Sequence, residues 1–320
     1  MKTQSELTDF YYKKLHPSLI RLEKSRKQLS HRIITVALIY SIVSLLTIFS
    51  LYKISYNLDI IIFGGFLYIA GGGLLYKYLI KDYTAAFKQS VIAPLISALD
   101  KNLIYSTDAH IPSHYFTSSK IFTTHPDKFE GNDYVKGKID DVTLQFSDIH
   151  AQKKHKDSKG NTHYETLFQG LFIVADFHKH FKGTTVVLPD SAQTTFGTLI
   201  GHWLQSHNIS RGELVKMDDV NFEKKFVVYA NDQIEARYIL SNALMQKLLE
   251  FQKRSEYPVS LSFVGGNIFL AIHYNKDLFE PSIFHSLLKY RIAMQYVNTL
   301  HLAVGIVEEL KLNQKLWSKL

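Results

Sequence analysis

Two uncharged apolar segments separated by a short loop constrain this sequence more than any other feature. As a helix, the first segment, Ile33–Tyr52, would be about 30 Å long, which matches the hydrocarbon core of a bilayer. The second, Ile60–Tyr76, is slightly shorter, and residues 78–80 extend it if Lys77 snorkels to the headgroups. Helices at the surface of a soluble core alternate apolar and polar faces, whereas these segments are apolar all round. The pattern favours a transmembrane hairpin over a hairpin buried in a soluble protein.

The charges that flank the hairpin predict its orientation. Both flanks are basic, whereas the connecting loop carries only Lys53, which Asp59 balances. By the positive-inside rule both termini are then cytosolic, and almost all of the polar chain faces the cytosol. We therefore expect a multi-pass protein of the bacterial inner (cytoplasmic) membrane, with the lipid bilayer as one partner. The flanking basic residues are Lys13, Lys14, Arg21, Lys24, Arg26, Lys27 and Arg32 before the hairpin, and Lys77, Lys81 and Lys88 after it.

Glycines in the second apolar segment predict close helix packing. Gly64 and Gly71 recur at seven-residue spacing, and so do Gly65 and Gly72. Because glycine has no side chain, a neighbouring helix can approach closely along this face. The expected neighbour is the first helix, and a homo-oligomer formed through the same face is the alternative. The facing positions on the first helix would be Ala37, Ser41 and Ser44.

Composition excludes several classes of function. The chain has no cysteine, so it has no disulfide, no thiolate zinc site and no cysteine nucleophile. Eight Lys and Arg against three Asp and Glu give residues 1–32 a net charge of +5, which leaves +3 of the total +8 for the rest of the chain. The basic excess therefore belongs mostly to the region next to the membrane, where lysines gain from anionic lipids. We do not expect a nucleic-acid partner.

The sequence divides into four predicted parts, and the fold class that we predict is α+β. The two helical arms on either side of the hairpin leave the same side of the membrane, so they can pair as a short antiparallel stalk. Leu15, Leu22 and Leu29 have the heptad spacing that this pairing needs, and Pro94 is a possible kink in the second arm. The parts are a basic helix (1–32), the transmembrane hairpin (33–80), a stalk helix (81–104) and a cytosolic domain with a mainly antiparallel sheet (105–320).

Alternating and continuous apolar runs predict the strands of the cytosolic domain. Residues 134–139 and 142–146 are typical of a hairpin with one solvated face, and Leu167–Phe177 is apolar on both parities, as expected of a central strand. The segment between them, Ala151–His163, is rich in Lys, His, Asp and Gly, and is predicted to be a mobile loop. The other predicted elements are a strand at Thr184–Leu188, a helix over Asp190–His207, a strand at Lys225–Ala230, a helical run from Asp232 to Lys253 that breaks at Ser241-Asn242, a hairpin of Pro258–Val264 and Ile268–Tyr274 around Gly265-Gly266, and a long helix from Pro281.

Candidate polar sites are few, and each has a structural alternative. Asp176, His178 and His180 would share one face of a strand and could ligate a metal, with His150, His155 or His163 nearby. Surface strands place polar residues at this period anyway, so we expect no cofactor. The chain has no nucleophile elbow and no glycine-rich phosphate loop. Asp232 and Glu235 fit a capping box, and Glu235 with Arg237 fits a structural ion pair.

Six sequence words are distinctive as a set: "SSKIF", "GNDYVKGKIDDVTLQFSDIHA", "LFQGLFIVADFHKHFKGTTVVLPD", "NFEKKFVVYANDQIEARYIL", "LFEPSIF" and "LKLNQKLW". Together they resemble a family of bacterial membrane-anchored proteins known only as a domain of unknown function. The resemblance implies two spans followed by a cytosolic domain and, for some members, genes near those of LemA-type membrane proteins; it implies no activity. Asn242 departs from the pattern, because similar sequences tend to have proline there. The polar residues in these words without an obvious structural role are Ser147, Asp148, His150, Asp176, Asp232, Gln233, Glu235 and Arg237.

These observations favour a membrane-tethered interaction or regulatory module that binds a protein partner, which could itself be a membrane protein. An active site should gather matched polar groups around a pocket, and no spacing in this sequence requires such a gathering. The alternatives are a metal-dependent enzyme that uses strand-borne histidines and a module that binds lipid headgroups.

The predicted topology can be tested with single cysteines, because the chain has none of its own. A cysteine at Ser55, in the hairpin loop, should react with an impermeant thiol reagent in intact cells whose outer membrane has been permeabilised. A cysteine at Ser255 should react only after lysis. The opposite labelling pattern would contradict the orientation.

Overall fold

The computed structural model describes residues 6, 9–139, 142–158, 160–176, 181–190, 212–255 and 257–288. Within these residues the chain divides into two compact units. One contains the chain up to Leu95 together with residues 280–288, and it is mainly helical. The other contains residues 96–279 and is organised around a sheet. The protein is therefore α+β, with long N-terminal helices and an antiparallel sheet after them.

The helical unit is a hairpin of two long helices, α1 (His16–Ser55) and α2 (Leu58–Phe87). Tyr56, in the left-handed conformation with φ 53°, ends α1, and the Asn57 side chain accepts a hydrogen bond of 2.9 Å from the Asp59 N–H to cap α2. Each apolar segment thus continues without a break into a polar arm. A π-helical turn, Tyr11–Leu15, precedes α1, and a second, Lys88–Ile92, joins α2 to α3 (Ala93–Leu99).

Three of the four predicted glycines lie against α1. A Cβ at Gly64 would be 2.8 Å from Ile48 Cγ1, and a Cβ at Gly71 would be 2.5 Å from the Tyr40 hydroxyl. Gly72 also lies beside Tyr40, whereas Gly65 has open space where its Cβ would be. The ring of Tyr40 stacks on that of Tyr68 with centroids 5.3 Å apart, the Tyr40 hydroxyl donates to the Tyr68 carbonyl at 3.0 Å, and the hydroxyls of Ser41 and Tyr68 are 2.8 Å apart. Hydroxyl groups on this face are thereby satisfied within the hairpin.

A buried ion pair on α1 fixes residues 280–288. Arg26 makes two bonds to the Glu23 carboxylate, at 2.7 and 2.8 Å, and its Nη1 donates to the Ile283 carbonyl at 2.6 Å. The Leu287 N–H donates to the same carboxylate at 3.4 Å. In a helix, the Ile283 carbonyl and the Leu287 N–H would bond to each other. Residues 281–288 accordingly form turns and bends, so the predicted helix start at Pro281 is wrong; residues after 288 lie outside the described residues.

The described residues of the sheet unit form nine antiparallel strands in the order β1-β2-β3-β4-β9-β8-β5-β7-β6. Hairpins join β2 to β3 and β3 to β4, whereas β9 and β8 lie between β4 and β5, so the centre of the sheet depends on pairing between distant segments. The strands are β1 (Ile104–Ser106), β2 (Lys128–Ile139), β3 (Val142–Lys156), β4 (Thr162–Asp176), β5 (Thr184–Pro189), β6 (Glu213–Val215), β7 (Phe226–Ala230), β8 (Val259–Val264) and β9 (Asn267–His273).

The prediction of a mobile loop over Ala151–His163 is wrong. Strand β3 continues to Lys156 and β4 begins at Thr162, and the Asp157 N–H donates to the Asn161 carbonyl at 2.9 Å in the turn between them. Asp157 stabilises the turn, because its carboxylate accepts a bond of 2.8 Å from the Asn161 N–H. The polar composition that favoured a loop belongs instead to a two-stranded ribbon that projects beyond the paired part of β2 and β9.

Strand β4 is the predicted central strand, covered on both faces. Phe172 and Val174 lie in the main core cluster, and Leu171, Ile173 and Ala175 on the other face are buried as well. The helices of this unit are α4 (Ser113–Ser118), α5 (Val220–Glu223), α6 (Gln233–Ile239) and α7 (Asn242–Ser255). The cluster consists of Ile111, Phe116, Ile121, Ile149, Ala151, Phe168, Phe172, Val174, Val186, Leu188, Tyr229, Phe269 and Ala271.

Most of the other local predictions match the described residues. The hairpin of β8 and β9 turns at Gly265, which has φ 59°, and the helical run after Asp232 breaks between α6 and α7 next to Asn242. The residues of the predicted helix after Asp190 lie outside the described part of the chain.

Close packing at Gly71 predicts a difference between two matched substitutions. Both Gly71→Ala and Gly65→Ala add a methyl group and gain the same helix propensity, but only Gly71 faces the Tyr40 hydroxyl. Gly71→Ala should therefore be less stable than Gly65→Ala by about 1–3 kcal/mol, the usual cost of overpacking. Unfolding of the purified full-length protein in mixed micelles measures this difference, and equal stabilities would contradict the packing.

Candidate functional site

The residues that the sequence singled out do not gather at one place in the described structure. Asp176 ends β4 between Thr143 of β3 and Asn267 of β9. His150 lies on β3, with its Nε2 3.2 Å from the Thr166 hydroxyl. His178 and His180 lie outside the described residues.

Asp232 and Glu235 hold a loop to the start of α6. The Asp232 carboxylate caps the helix by accepting from the N–H groups of Ile234 and Glu235, at 2.9 and 3.0 Å. Glu235 accepts from the N–H of Lys182 at 2.9 Å and from that of Gly183 at 2.7 Å. Its carboxylate is therefore used by a loop before β5 and does not return to Asp232, as it would in a capping box. These contacts satisfy backbone groups, which is a structural role.

Arg237 is exposed and donates to the Gln233 carbonyl of its own helix at 3.4 Å. Among the described residues, no group of three or more His, Asp or Glu side chains converges as metal ligands do. The nearest approach to such a cluster is on the ribbon of β3 and β4, where His155 stacks on His163 with centroids 5.4 Å apart and pairs with Glu165 at 2.9 Å. These histidines are opposite each other in the strand register, although both fall in the segment that was predicted to be a loop.

The most unusual polar site is a pair of buried carboxyl groups on β2 and β3, Asp133 and Asp148. They are 0% and 2% exposed. Asp133 has φ 57° and sits in a β-bulge of β2, which begins directly after Asn132, the strand partner of Asp148, and ends before Val135. The Tyr105 hydroxyl of β1 donates to one Asp133 oxygen, and the Asp133 N–H donates to the Thr107 carbonyl at 3.0 Å. The bulge therefore turns an acidic side chain inward and holds it there.

Asp148 is bonded on one side only. Its Oδ2 accepts from the Leu278 N–H at 2.7 Å, and the Phe279 N–H also bonds to this carboxyl. Its Oδ1 is buried without a hydrogen-bond partner. An acceptor left unsatisfied in the interior is costly, and a carboxylate is more costly than a neutral group. The geometry therefore favours a carboxyl group that carries a proton.

The electrostatics of the pair point the same way. Burial raises the pKa of Asp148 well above its usual range, and the charges of Asp133 and Asp277 raise it further, whereas the two backbone N–H groups oppose the shift. A neutral Asp148 has an O–H donor in place of a second charge beside Asp133. What this arrangement can do chemically is bind and release a proton at a point where the 277–279 segment meets the sheet.

A second buried titratable group, His273, lies on the opposite face of the sheet. Its ring meets the edge of Phe168 at a centroid distance of 4.8 Å, and burial lowers its pKa to about 3. It is therefore a neutral core residue at neutral pH. Since its pKa is depressed, its contribution to stability is present above about pH 6.5 and is lost as the pH falls toward 3.

Sequence reasoning named Asp148 only through the family words and missed Asp133. A signal for Asp148 was present: it falls in the apolar phase of an alternating strand, after Val142, Leu144 and Phe146. Nothing in the local sequence marks Asp133, because its burial depends on the bulge.

The fold and the buried acid pair define an α+β protein of two units, in which no metal-ligand cluster is found among the described residues. The resemblance seen in the sequence is confirmed for residues 166–312, which match the family model "Protein of unknown function (DUF3137)". The link to LemA-type proteins stays a prediction. No curated protein matches. Among solved structures, the crystal structure of the mycobacterial trehalose monomycolate transport factor A, TtfA, aligns at 7% identity over 64% of this chain and 88% of that chain, with a TM-score of 0.34, a likeness too weak to carry an argument.

The loop contacts of Glu235 predict the effect of its removal. Glu235→Ala should lower the free energy of unfolding by about 1–3 kcal/mol, because the N–H groups of Lys182 and Gly183 lose their acceptor. Arg237→Ala, two residues away on the same helix, should change it by less than about 0.5 kcal/mol. Chemical denaturation of the full-length protein compares the two, and an equal loss in both variants would contradict the structural role of Glu235.

Proposed function

We propose that this protein is a membrane-tethered module whose cytosolic sheet unit binds a protein partner. In this proposal α1 and α2 cross the bacterial inner membrane, both ends of the hairpin return to the cytosol, and the sheet unit remains beside the membrane. The chemistry is recognition, and no reaction is assigned.

The tether is supported by the length and exposure of the two helices. Continuous helix runs over Tyr11–Ile54 and Leu58–Leu99, with mean hydropathies of 2.3 and 1.9 in their most apolar windows. Only 6% and 0% of these windows are buried within the protein, whereas the core helix of a soluble protein would be mostly buried. Large apolar side chains from Ile34 to Tyr78 are exposed, and in the proposal acyl chains cover them.

The observation that carries the partner proposal is an apolar surface at the β6 end of the sheet. Leu214 of β6 and Ile234 of α6 are 54% and 81% exposed, and the bond of 3.0 Å between Gln233 and Glu213 holds the two elements together. A cleft of about 320 Å³, lined by Leu214–Met217, Glu223 and Phe226–Tyr229, opens beside them. Exposed apolar side chains next to a concave surface are typical of interaction sites.

The geometry of β6 favours an extended segment as the occupant. In the described residues β6 pairs only with β7, so its outer N–H and C=O groups can accept another strand. Added strands gain affinity from backbone bonds and specificity from alternate side chains. The proposed partner therefore offers an extended segment with apolar residues that can cover Leu214 and Ile234.

A photo-crosslinking amino acid at Ile234 tests this proposal in membranes that contain the full-length protein. We expect an adduct of one defined size with a different protein, and we expect Leu214→Asp to abolish it by placing a charge in the contact. The same crosslinker at Lys138, exposed on β2 near the other end of the sheet, is the matched control and should give no such adduct.

Three results would contradict the proposal. An adduct within the same chain would mean that this surface is covered internally. An adduct between two copies would mean that the surface forms a homo-oligomer. An adduct that persists with Leu214→Asp or also forms from Lys138 would mean that capture is not specific to the β6 surface.

A further inference from the structure

The segment Asp277–Phe279 is attached to the sheet through one acidic side chain. After β9 the chain leaves the sheet, and the N–H groups of Leu278 and Phe279 bond to the Asp148 carboxyl. Phe279 is fully buried, and Leu278 is half-buried. Asp148 is therefore the point at which β3 holds this segment.

The acidic groups around Asp148 come from two other parts of the chain. Asp133 lies in the bulge of β2, and Asp277 lies on the attached segment itself. The Tyr105 hydroxyl donates to Asp133 from β1. Nearby carboxylates in an interior site repel each other, so the closed site is favoured when Asp148 carries a proton and is neutral.

A proton fits this site better than a metal ion. In the described residues no three carboxylate or imidazole groups converge on a common point, as a metal site requires. The buried Oδ1 of Asp148 lacks a hydrogen-bond partner, and one proton on it converts the carboxylate into a neutral group with a donor. The other oxygen remains available to accept from Leu278.

We propose that a proton on Asp148 holds residues 277–279 against β3, and that loss of this proton releases them. The closed state binds one proton more than the open state, in which water surrounds Asp148. Because the closed state holds the extra proton, the proton stabilises closure fully at pH values below 3.8, the ordinary pKa of aspartate. This stabilisation is lost as the pH rises toward the raised pKa of Asp148. Within that window the opening equilibrium increases by up to about tenfold per pH unit.

Hydrogen exchange of the full-length protein in nanodiscs, followed by mass spectrometry from about pH 5 to about pH 9, tests the proposal. Protection factors, corrected for the intrinsic pH dependence of exchange, should fall with rising pH in peptides that cover residues 275–279. In Asp148→Asn, which keeps an oxygen acceptor for Leu278 but cannot ionise, the same peptides should stay protected across the range. A wild-type profile that is flat, or parallel to that of Asp148→Asn, would overturn the proposal.

Two further variants separate this mechanism from general effects. Asp127→Asn is the matched control, because exposed Asp127 also accepts a backbone N–H, from Lys154 at 2.8 Å, but its pKa is lowered chiefly by that bond. It should leave exchange at 275–279 unchanged, and a change equal to that of Asp148→Asn would overturn the proposal. Asp133→Asn removes a neighbouring negative charge that raises the pKa of Asp148, so the loss of protection should shift to lower pH. A shift to higher pH would contradict the proposal.

The same measurements with Mg²⁺ or Mn²⁺ distinguish a proton from a metal ion. If either ion restores protection at high pH in the wild type but not in Asp148→Asn, a metal is the closing charge and the proton mechanism is wrong. If protection depends on pH alone, the proton is sufficient. Titration of His273 does not confuse the result, since it weakens the protein only as the pH falls.

Discussion

The register between β3 and β4 determines which side chains the sheet unit buries on each face. A shift of one residue would move every side chain of one strand to the other face. In the observed register Ser147 is opposite Phe172 and Asp148 is opposite Leu171. Ile149 and Phe172 thereby join the main core cluster, while Asp148 lies on the other face, which is covered as well. If the face opposite the main core cluster were solvated, Asp148 would lie in water. Covering both faces turns an ordinary strand aspartate into a buried acid.

In the helical unit, the Glu23–Arg26 pair has a comparable influence on backbone structure. It occupies the Ile283 carbonyl and the Leu287 N–H, the two groups that a helical turn at this point would join. Arg26 and Lys88 both belong to the basic flanks that predict membrane orientation, yet they are only 7% and 5% exposed and pair with Glu23 and Glu280. Breaking such a buried pair by removing one partner typically costs about 3–5 kcal/mol. Part of the positive charge near the hairpin therefore serves packing within the helical unit.

Local chemistry predicted the elements that depend on neighbouring residues. The glycine turn at Gly265, the Asp232 cap and the break near Asn242 follow from backbone preferences of the residues themselves. The predictions failed where distant groups decide. Most of the polar segment 151–163 is strand because its two halves pair with each other. Pro281 does not start a helix because Arg26 and Glu23 of α1 bond to the Ile283 carbonyl and the Leu287 N–H. At the site, strand alternation in the sequence indicates that Asp148 is buried. The burial of Asp133 depends on the bulge, and the contacts of Asp148 with residues 278 and 279 depend on the path of the chain after β9, so neither could be predicted from the local sequence.

The ribbon formed by the outer ends of β3 and β4 has a consequence for local stability. In the described structure, Lys153–Lys156 and Thr162–Glu165 have only each other as ladder partners, and most of their side chains are in water. Opening these bonds exposes little apolar surface, so it costs less free energy than global unfolding. The ribbon can fray, exchange its amides or be cut near Asp157 while the rest of the described sheet stays folded. A peptide sequence inserted at this end of the ribbon would therefore disturb the fold little.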